Sequence, residues 1–365
     1  MKRILLVSGS LDMGGVESVV MQIVRLSDKK EFSFDILVYG NRSYYYEKEA
    51  IEVGCNILRI PEPRRHYLSY YHSLKKILKN YGPYDIVHSH IFFNSSIVMM
   101  AAKRSGVPLC IAHSHSIKRQ YDDQIIKKVA YGIMRILLKK YTDKFVACSK
   151  QAGEYVFGKD GFNKKGIVIF NPINIEKFAF SQKSRNKIRR ELKISEDEFV
   201  VGQVGRLASV KNQKFLLEVF EQLCYKRDSK LLLVGDGELR FELEKYAEKL
   251  GIKNKVRFTG SCSDVSDFLS AMDCFVMTSK HEGFGIVLIE AMANGLNCIC
   301  ETNAIVCEIK EIEYCQTITG FNVDDWCNML ITSLGRDKKM KYRNEKLKKF
   351  NTHTFLKNLN DLYLN

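Results

Sequence analysis

The feature that most constrains the fold is an alternation, carried along most of the chain, of strand-sized apolar runs with segments of helical periodicity. "RILLVSG" (3–9) precedes "GGVESVVMQIVRLS" (14–27), which gives way to "SFDILVYG" (33–40). "CNILRI" (55–60) leads into the helical "YYHSLKKILKNY" (70–81), and "YDIVHSH" (84–90), "PLCIAHSH" (108–115) and "DKFVACS" (143–149) follow. Short apolar runs separated by helices specify a parallel sheet covered on both faces. Around "GIVIFNPINIEKF" (166–178) the pattern stops, and "SQKSRNKIRRELKISEDE" (181–198) is almost all polar. A second series then begins with "EFVVGQVGRL" (198–207), "SKLLLVGDGE" (229–238), "KVRFTG" (255–260) and "CFVMTS" (274–279). The expectation is an α/β protein of two doubly wound, Rossmann-like domains facing each other across a cleft. They would span 1–171 and 199–345, with a linker region at 172–198. A helical tail at 346–365 would be available to return to the first domain. In such sheets ligands gather at the carboxyl ends of the strands.

Charge is unevenly spread. The net formal charge is +15, and residues 1–170 hold 27 Lys and Arg against 15 Asp and Glu, leaving 30 against 27 for the remainder. The basic half is therefore expected to meet something anionic, nucleic acid or a lipid surface. No aromatic-and-basic RNA motif, zinc finger or zipper heptad is present, which disfavours nucleic acid. One stretch favours lipid: "QIIKKVAYGIMRILLKKY" (124–141). Ile125, Ile126, Val129, Ile133, Ile136 and Leu137 recur there at helical spacing among Lys127, Lys128, Arg135, Lys139 and Lys140. Two readings stand, a helix docked on an anionic membrane or a surface helix packed on its own domain. No apolar run reaches the ~18–20 residues that span a bilayer. The eleven cysteines stand at irregular spacings, as free thiols in a reducing cytoplasm would. The expected location is the cytoplasm, peripheral on the inner face of the plasma membrane.

The second half offers three signals at successive strand ends. In "VGRLASVKNQ", Arg206 and Lys211 follow a strand and precede a helix. Two such cations can clamp a diphosphate, Arg as a planar fork and Lys as a point charge. In "LLLVGDGE", Gly235 and Gly237 form a turn that permits close backbone approach. The third is "HEGFGIVLIEAMANG" (281–295), with Glu282 and Glu290 eight apart and Gly283, Phe284 and Gly285 after the first. Glycines are poor in helix interiors, so Glu282 belongs to the loop and Glu290 to the helix, about one turn in. The first N–H groups of that helix, near Gly285, Ile286 and Val287, make an anion cradle.

Taken in order, these segments resemble the family-four retaining glycosyltransferases of the GT-B fold. The carboxylate pair matches that family's E-x7-E element, "GGVES" resembles its G-G-x-E loop, and "YDIVHSH" and "CIAHSHS" also fit. Within the family the chain looks most like bacterial enzymes that build capsular, exopolysaccharide or related surface glycans. After "ANGLNCIC" the family usually carries a G-G-x-x-E turn, where this chain has "ETNAIVCEIKEIEY", and nothing is carried over there. The resemblance implies a nucleotide-sugar donor, a UDP-sugar, and a glycan or polyprenyl-linked acceptor. Glu282 would contact the donor sugar, Glu290 the ribose hydroxyls, and Arg206 and Lys211 the leaving diphosphate. Gly14 and Gly15 would let backbone approach the diphosphate or acceptor. No cofactor and no metal ion are implied.

The two H-x-H pairs, His88/His90 and His113/His115, each place two imidazoles on one face of a strand. A zinc site is one reading. Neutral histidines lining a sugar site is the preferred one, with no carboxylate or cysteine nearby to complete a metal shell. By the resemblance, His115 is the active-site histidine, with His113 as the alternative. Two rival functions share this sequence. One is a nucleotide-sugar epimerase of similar fold, which the E-x7-E stretch and "GRLASVKN" disfavour. The other is a non-catalytic, membrane-associated subunit, which intact Arg206, Lys211, Glu282 and Glu290 disfavour.

Overall fold

A computed structural model of the chain describes every residue except 64–65, 116–124, 263, 283, 313, 334–344 and 365. The chain divides into two compact units, the first comprising Met1–Pro172 with Thr352–Asn365 and the second Ile173–Asn351.

The first unit is built on a seven-stranded sheet. Its strands are β1 (Lys2–Gly9), β2 (Phe32–Tyr39), β3 (Asn56–Ile60), β4 (Ile86–Ser89), β5 (Leu109–Ser114), β6 (Lys144–Ala147) and β7 (Gly166–Val168). All pairings are parallel and the order is β3-β2-β1-β4-β5-β6-β7. The second unit holds six strands: β8 (Phe199–Val204), β9 (Ser229–Val234), β10 (Val256–Gly260), β11 (Cys274–Met277), β12 (Asn297–Glu301) and β13 (Cys315–Ile318). They too are parallel, in the order β10-β9-β8-β11-β12-β13. In each sheet the winding direction reverses between the first strand and the fourth, β1 and β4 or β8 and β11. A doubly wound sheet binds ligands outside the strand ends at that reversal. The central strands are buried on both faces, Ile4 to Val7 at 0–1 % exposure and Leu231 to Val234 likewise, as unbroken apolar runs require.

The polar stretch read as a linker is not one. Residues 173–198 belong to the second unit, and Gln182–Glu191 form a helix capped by the Ser181 hydroxyl, which accepts from the Ser184 N–H at 3.2 Å. That helix carries one buried aliphatic residue, Ile188, and is pinned instead by guanidinium groups. Arg189, 3 % exposed, donates to the carbonyls of Ala271 and Ser195 and pairs with Asp273 at 2.6 Å, and Arg185 pairs with the same carboxylate at 3.0 Å. A helix anchored by charge-assisted bonds shows no apolar period to read. The tail divides as well: residues up to Asn351 stay with the second unit, and the closing helix Thr352–Leu364 packs Phe355, Leu359, Leu362 and Tyr363 into the core of the first.

Candidate active site

At the reversal of the second sheet, the loops after β8 and β11 are tied together. The Lys280 N–H donates to the Val210 carbonyl at 2.8 Å, and the Lys211 carbonyl accepts from the Thr278 hydroxyl at 3.0 Å and from Gln203 Nε2 at 3.3 Å. Asn212 then turns through the left-handed region at φ 54° to start the next helix. This bracing carries Lys211 onto Glu282, with Nζ 2.6 Å from Oε1. The Ser279 hydroxyl donates to the same carboxylate oxygen. Both side chains of the pair are mostly buried, at 22 % and 10 % exposure, so its charge assistance is less screened than at a surface. Glu282 sits in the loop and Glu290 inside the helix Ile286–Ala293, as the glycines require. Gly285 precedes that helix at φ 80°, a conformation that makes glycine the natural residue there, and Phe284 is buried against Phe350. The opening N–H groups of a helix lack intrahelical acceptors, so Ile286 and Val287 present donors at this site. Gly283 lies outside the described residues.

Arg206 is brought to the same reversal but not to Lys211. Its side chain is 74 % exposed and pairs with Glu238 at 3.1 Å. The glycine turn has a different use from the expected one. A side chain on Gly235 would overlap the carbonyl oxygen of Gly205, and one on Gly237 that of Leu207. The close approach they permit is therefore to the Arg206 loop, which the Leu207 N–H joins to the Asp236 carbonyl at 3.0 Å. In the segment that departs from the family pattern, Glu301 is 4 % exposed and spends its carboxylate on Asn303 and the Gly320 N–H. It holds a turn.

Burial pushes the Glu290 pKa up to about 7; Asp264 adds to that and Lys177 opposes it. A carboxyl that binds its proton more tightly when folded stabilises the fold fully only below its unfolded value near 4.5. That advantage is lost as pH rises through about 7. Glu290→Gln is therefore expected to leave the melting temperature at pH 4.5 almost unchanged. At pH 8.5 it should raise it by several degrees, from a gain of at most about 3 kcal/mol. Equal shifts at both pH values in thermal denaturation would remove the burial explanation.

In the first unit, a cavity of about 1090 Å³ opens at the reversal between β1 and β4. Ser8, Gly9 and Ser10 line it from the end of β1, and the segment from His90 to Asn94 from the end of β4. Tyr39, Tyr44, Tyr67, Phe92 and Tyr131 give it aromatic walls, and Glu17, Arg42 and Lys127 bring charge. Phe92 holds φ at 56°, a strained backbone for a residue with a side chain, of the kind that collects at functional sites. Sequence reasoning did not find these aromatics, which come from separate strands, helices and turns with no shared spacing. Gly14 and Gly15 do not line the cavity. Gly14 caps the first helix, Gly15 opens it, and Glu17 one turn in accepts from the Ser10 hydroxyl.

The four histidines share one face of β4 and β5. They are 0, 4, 2 and 7 % exposed for His88, His90, His113 and His115. Burial holds all four neutral, His88 lowered to about 3 and His115 to about 4 with the others well below the usual range. Both nitrogens of His115 are engaged, Nε2 with His90 Nδ1 at 2.8 Å and Nδ1 with Asn171 Oδ1 at 3.2 Å. All eleven cysteines are free thiols, eight of them buried, Cys298 and Cys300 included.

The family profile described as Glycosyltransferase Family 4 matches residues 13–177, and the one described as Glycosyl transferases group 1 matches residues 184–350. EpsF of Bacillus subtilis (strain 168), named as a glycosyltransferase, is 30 % identical over 301 residues, 82 % of this chain and 78 % of its own. The Escherichia coli UDP-Gal:alpha-D-GlcNAc-diphosphoundecaprenol alpha-1,3-galactosyltransferase is 26 % identical, over 87 % of this chain and 84 % of its own. Among solved structures, Anabaena HepE in complex with UDP and glucose superposes with a TM-score of 0.82 at 19 % identity, covering 99 % of each chain. The chain belongs to the group 1, family 4 glycosyltransferases. Its two parallel-sheet units are those of the GT-B fold.

Proposed function

We propose that this glycosyltransferase is a retaining enzyme that moves a hexose or N-acetylhexosamine from a UDP-sugar to a hydroxyl of a lipid-linked surface-glycan intermediate. The observation that carries the reading is the Lys211–Glu282 pair at the reversal of the second sheet. A cation held there suits the diphosphate, and the carboxylate beside it suits sugar hydroxyls. Arg206, exposed on the neighbouring loop, can swing from Glu238 to the phosphates, and Glu290 would take the ribose. As the anomeric carbon–oxygen bond breaks, negative charge grows on the departing diphosphate and Lys211 offsets it. The acceptor hydroxyl attacks from the same face and gives its proton to the leaving oxygen, which preserves the anomeric configuration. Similar proteins support the donor and acceptor classes: HepE was solved with UDP-glucose, and the E. coli relative is named for a diphosphoundecaprenol-linked acceptor. CapH of Staphylococcus aureus, 24 % identical, is named for capsular polysaccharide biosynthesis.

The aromatic cavity of the first unit would take the acceptor's sugars, whose apolar faces stack on such rings. The helix Ile125–Tyr141 supports a lipid acceptor. Its Lys127, Ala130, Tyr131 and Met134 line the cavity, and Leu138 is buried. Ile126, Val129, Ile133 and Ile136 instead lie 84, 60, 58 and 67 % exposed, spaced to form one outward stripe. Lys128, Lys139 and Lys140 are exposed beside it, and residue 124 lies outside the described residues. A helix packed on its own domain would bury that stripe, whereas an anionic membrane would take both its apolar and its basic groups. Among the described residues no helix is long and apolar enough to cross a membrane.

Two measurements test this together. Purified protein given a panel of UDP-sugars and a synthetic polyprenyl-diphosphate-linked sugar is expected to add one hexose or N-acetylhexosamine in α-linkage, seen by mass spectrometry and NMR. Transfer from no nucleotide-sugar, or with inversion, would overturn the reading. In sedimentation it should pellet with phosphatidylglycerol vesicles and not with neutral ones, less so at high salt. Changing Lys127, Lys128, Lys139 and Lys140 to Gln should weaken that binding by about 10² or more, at about 1 kcal/mol per charge. Equal pelleting with both vesicle types would make the stripe plain protein surface.

A further inference from the structure

We propose that the first unit carries a buried site for one divalent transition-metal ion, held by His88, His90 and His113. It is distinct from the Lys211–Glu282 pair. The sheet register creates the cluster. Ser89 pairs with Ala112, so one step further His90 and His113 stand side by side, with His88 and His115 two residues away on the same face. Ring centroids lie 4.2 Å apart for His88 and His90, 5.1 Å for His90 and His113, and 5.3 Å for His88 and His113. One ring nitrogen from each of the three lies within 4.8 Å of the others. Tetrahedral coordination at the usual zinc–nitrogen length of about 2.0–2.1 Å sets ligand nitrogens ~3.4 Å apart. Small ring rotations close that difference.

The hydrogen-bond chain settles which nitrogens carry lone pairs. Asn171 Oδ1 only accepts, so His115 Nδ1 is the protonated nitrogen and His115 Nε2 is an acceptor. His90 Nδ1 therefore donates to it, which leaves a lone pair on His90 Nε2. His88 Nδ1 meets the Tyr363 hydroxyl at 2.8 Å, an outer partner of the kind that orients a ligating imidazole. His88 Nε2, His90 Nε2 and both His113 nitrogens have no protein hydrogen-bond partner although they are fully buried. Leaving such groups unmatched is costly, and a cation accepting one lone pair from each ring satisfies three of these four nitrogens at once. A set of imidazoles without a carboxylate selects borderline ions such as Zn²⁺, Co²⁺ or Ni²⁺ over Mg²⁺ or Ca²⁺. The ion would clamp the ends of β4 and β5 beneath the cavity that His90 lines, and through His90 it would fix the ring of His115.

The test is metal binding by the full chain, not activity. Protein stripped with a chelator is expected to bind one Zn²⁺ per chain in competition with a chromophoric chelator. Co²⁺ should give the intense visible bands of a four-coordinate site, three imidazole nitrogens completed by one water. His113→Gln and His90→Gln should each weaken Zn²⁺ binding by more than about 10², and Tyr363→Phe by about 10–100, the usual loss for an outer partner. Exposed His72→Gln should change nothing. Circular dichroism checks the fold of each variant, and Tyr363→Phe keeps the ring in the core should a histidine variant fail to fold. No stoichiometric binding by the native chain, with water alone filling the cluster, would overturn the proposal. So would equal Zn²⁺ affinity in native protein and a folded His113→Gln.

Discussion

Glu282→Ala is expected to abolish transfer, by about 10³ or more in kcat. The carboxylate does two things that the alanine cannot. In the proposed reaction it would hold the donor sugar's hydroxyls, and it positions Lys211, whose Nζ it meets at 2.6 Å. Losing one preorganised charge contact typically costs 10²–10³, and a displaced Lys211 adds to that. Glu282→Gln separates the two parts: it keeps hydrogen bonding to a sugar and loses the hold on a cation. Glu290→Ala should behave differently, raising KM for the donor more than it lowers kcat, because a ribose contact is held in ground and transition states alike. Initial rates against donor concentration decide it. Full activity in Glu282→Ala would end the assignment, and equal kcat losses at constant KM in both variants would end the division of roles.

Lys211→Ala should lower kcat by about 10²–10³, the scale for one lost oxyanion-type contact, with the rate unchanged when Mg²⁺ is omitted. The reason is that charge on the departing diphosphate has to be offset by something, and in the proposed reaction Lys211 would do so in place of a metal ion. The variant also leaves Glu282, at 10 % exposure, without its cation, so Lys211→Met should do no better. Arg206→Ala is expected to cost transfer on the same scale, provided the guanidinium leaves Glu238 when the donor binds. A strict Mg²⁺ requirement in the native enzyme would count against this clamp.

The architecture was legible because parallel sheets write themselves as apolar runs, and both reversals follow once the strands are placed. The meeting of Lys211 with Glu282 was legible because both belong to loops at strand ends, and the glycines before Ile286 put Glu282 in the loop and Glu290 in the helix. What stayed hidden has physical causes. Gln182–Glu191 is held by Arg185 and Arg189 on Asp273, and a guanidinium anchor leaves no apolar period. Gly235 and Gly237 signalled close approach correctly, but sequence cannot tell a ligand from the carbonyls of Gly205 and Leu207. The 124–141 stretch was visibly amphipathic, yet which of its faces met protein depended on Met134 and Leu138 being the buried side. The aromatic cavity draws Tyr39 from the end of β2, Phe92 from the turn after β4 and Tyr131 from the helix Ile125–Tyr141, a convergence that only the folded chain creates.

The closing helix sets an order on synthesis. Tyr363 is 0 % exposed, its carbonyl accepts from Lys2 Nζ at 2.7 Å, and Phe355, Leu359 and Leu362 fill the same core. A ribosome makes Lys2 before the whole of Ile173–Asn351 and these residues after it. At ~5–20 residues per second that interval is roughly 10–40 s. The unit begun first is thus the one finished last: its nascent sheet waits with an open core while the later unit already has every strand it needs. A message cut short before codon 352 would therefore spoil the earlier-made half and spare the later one.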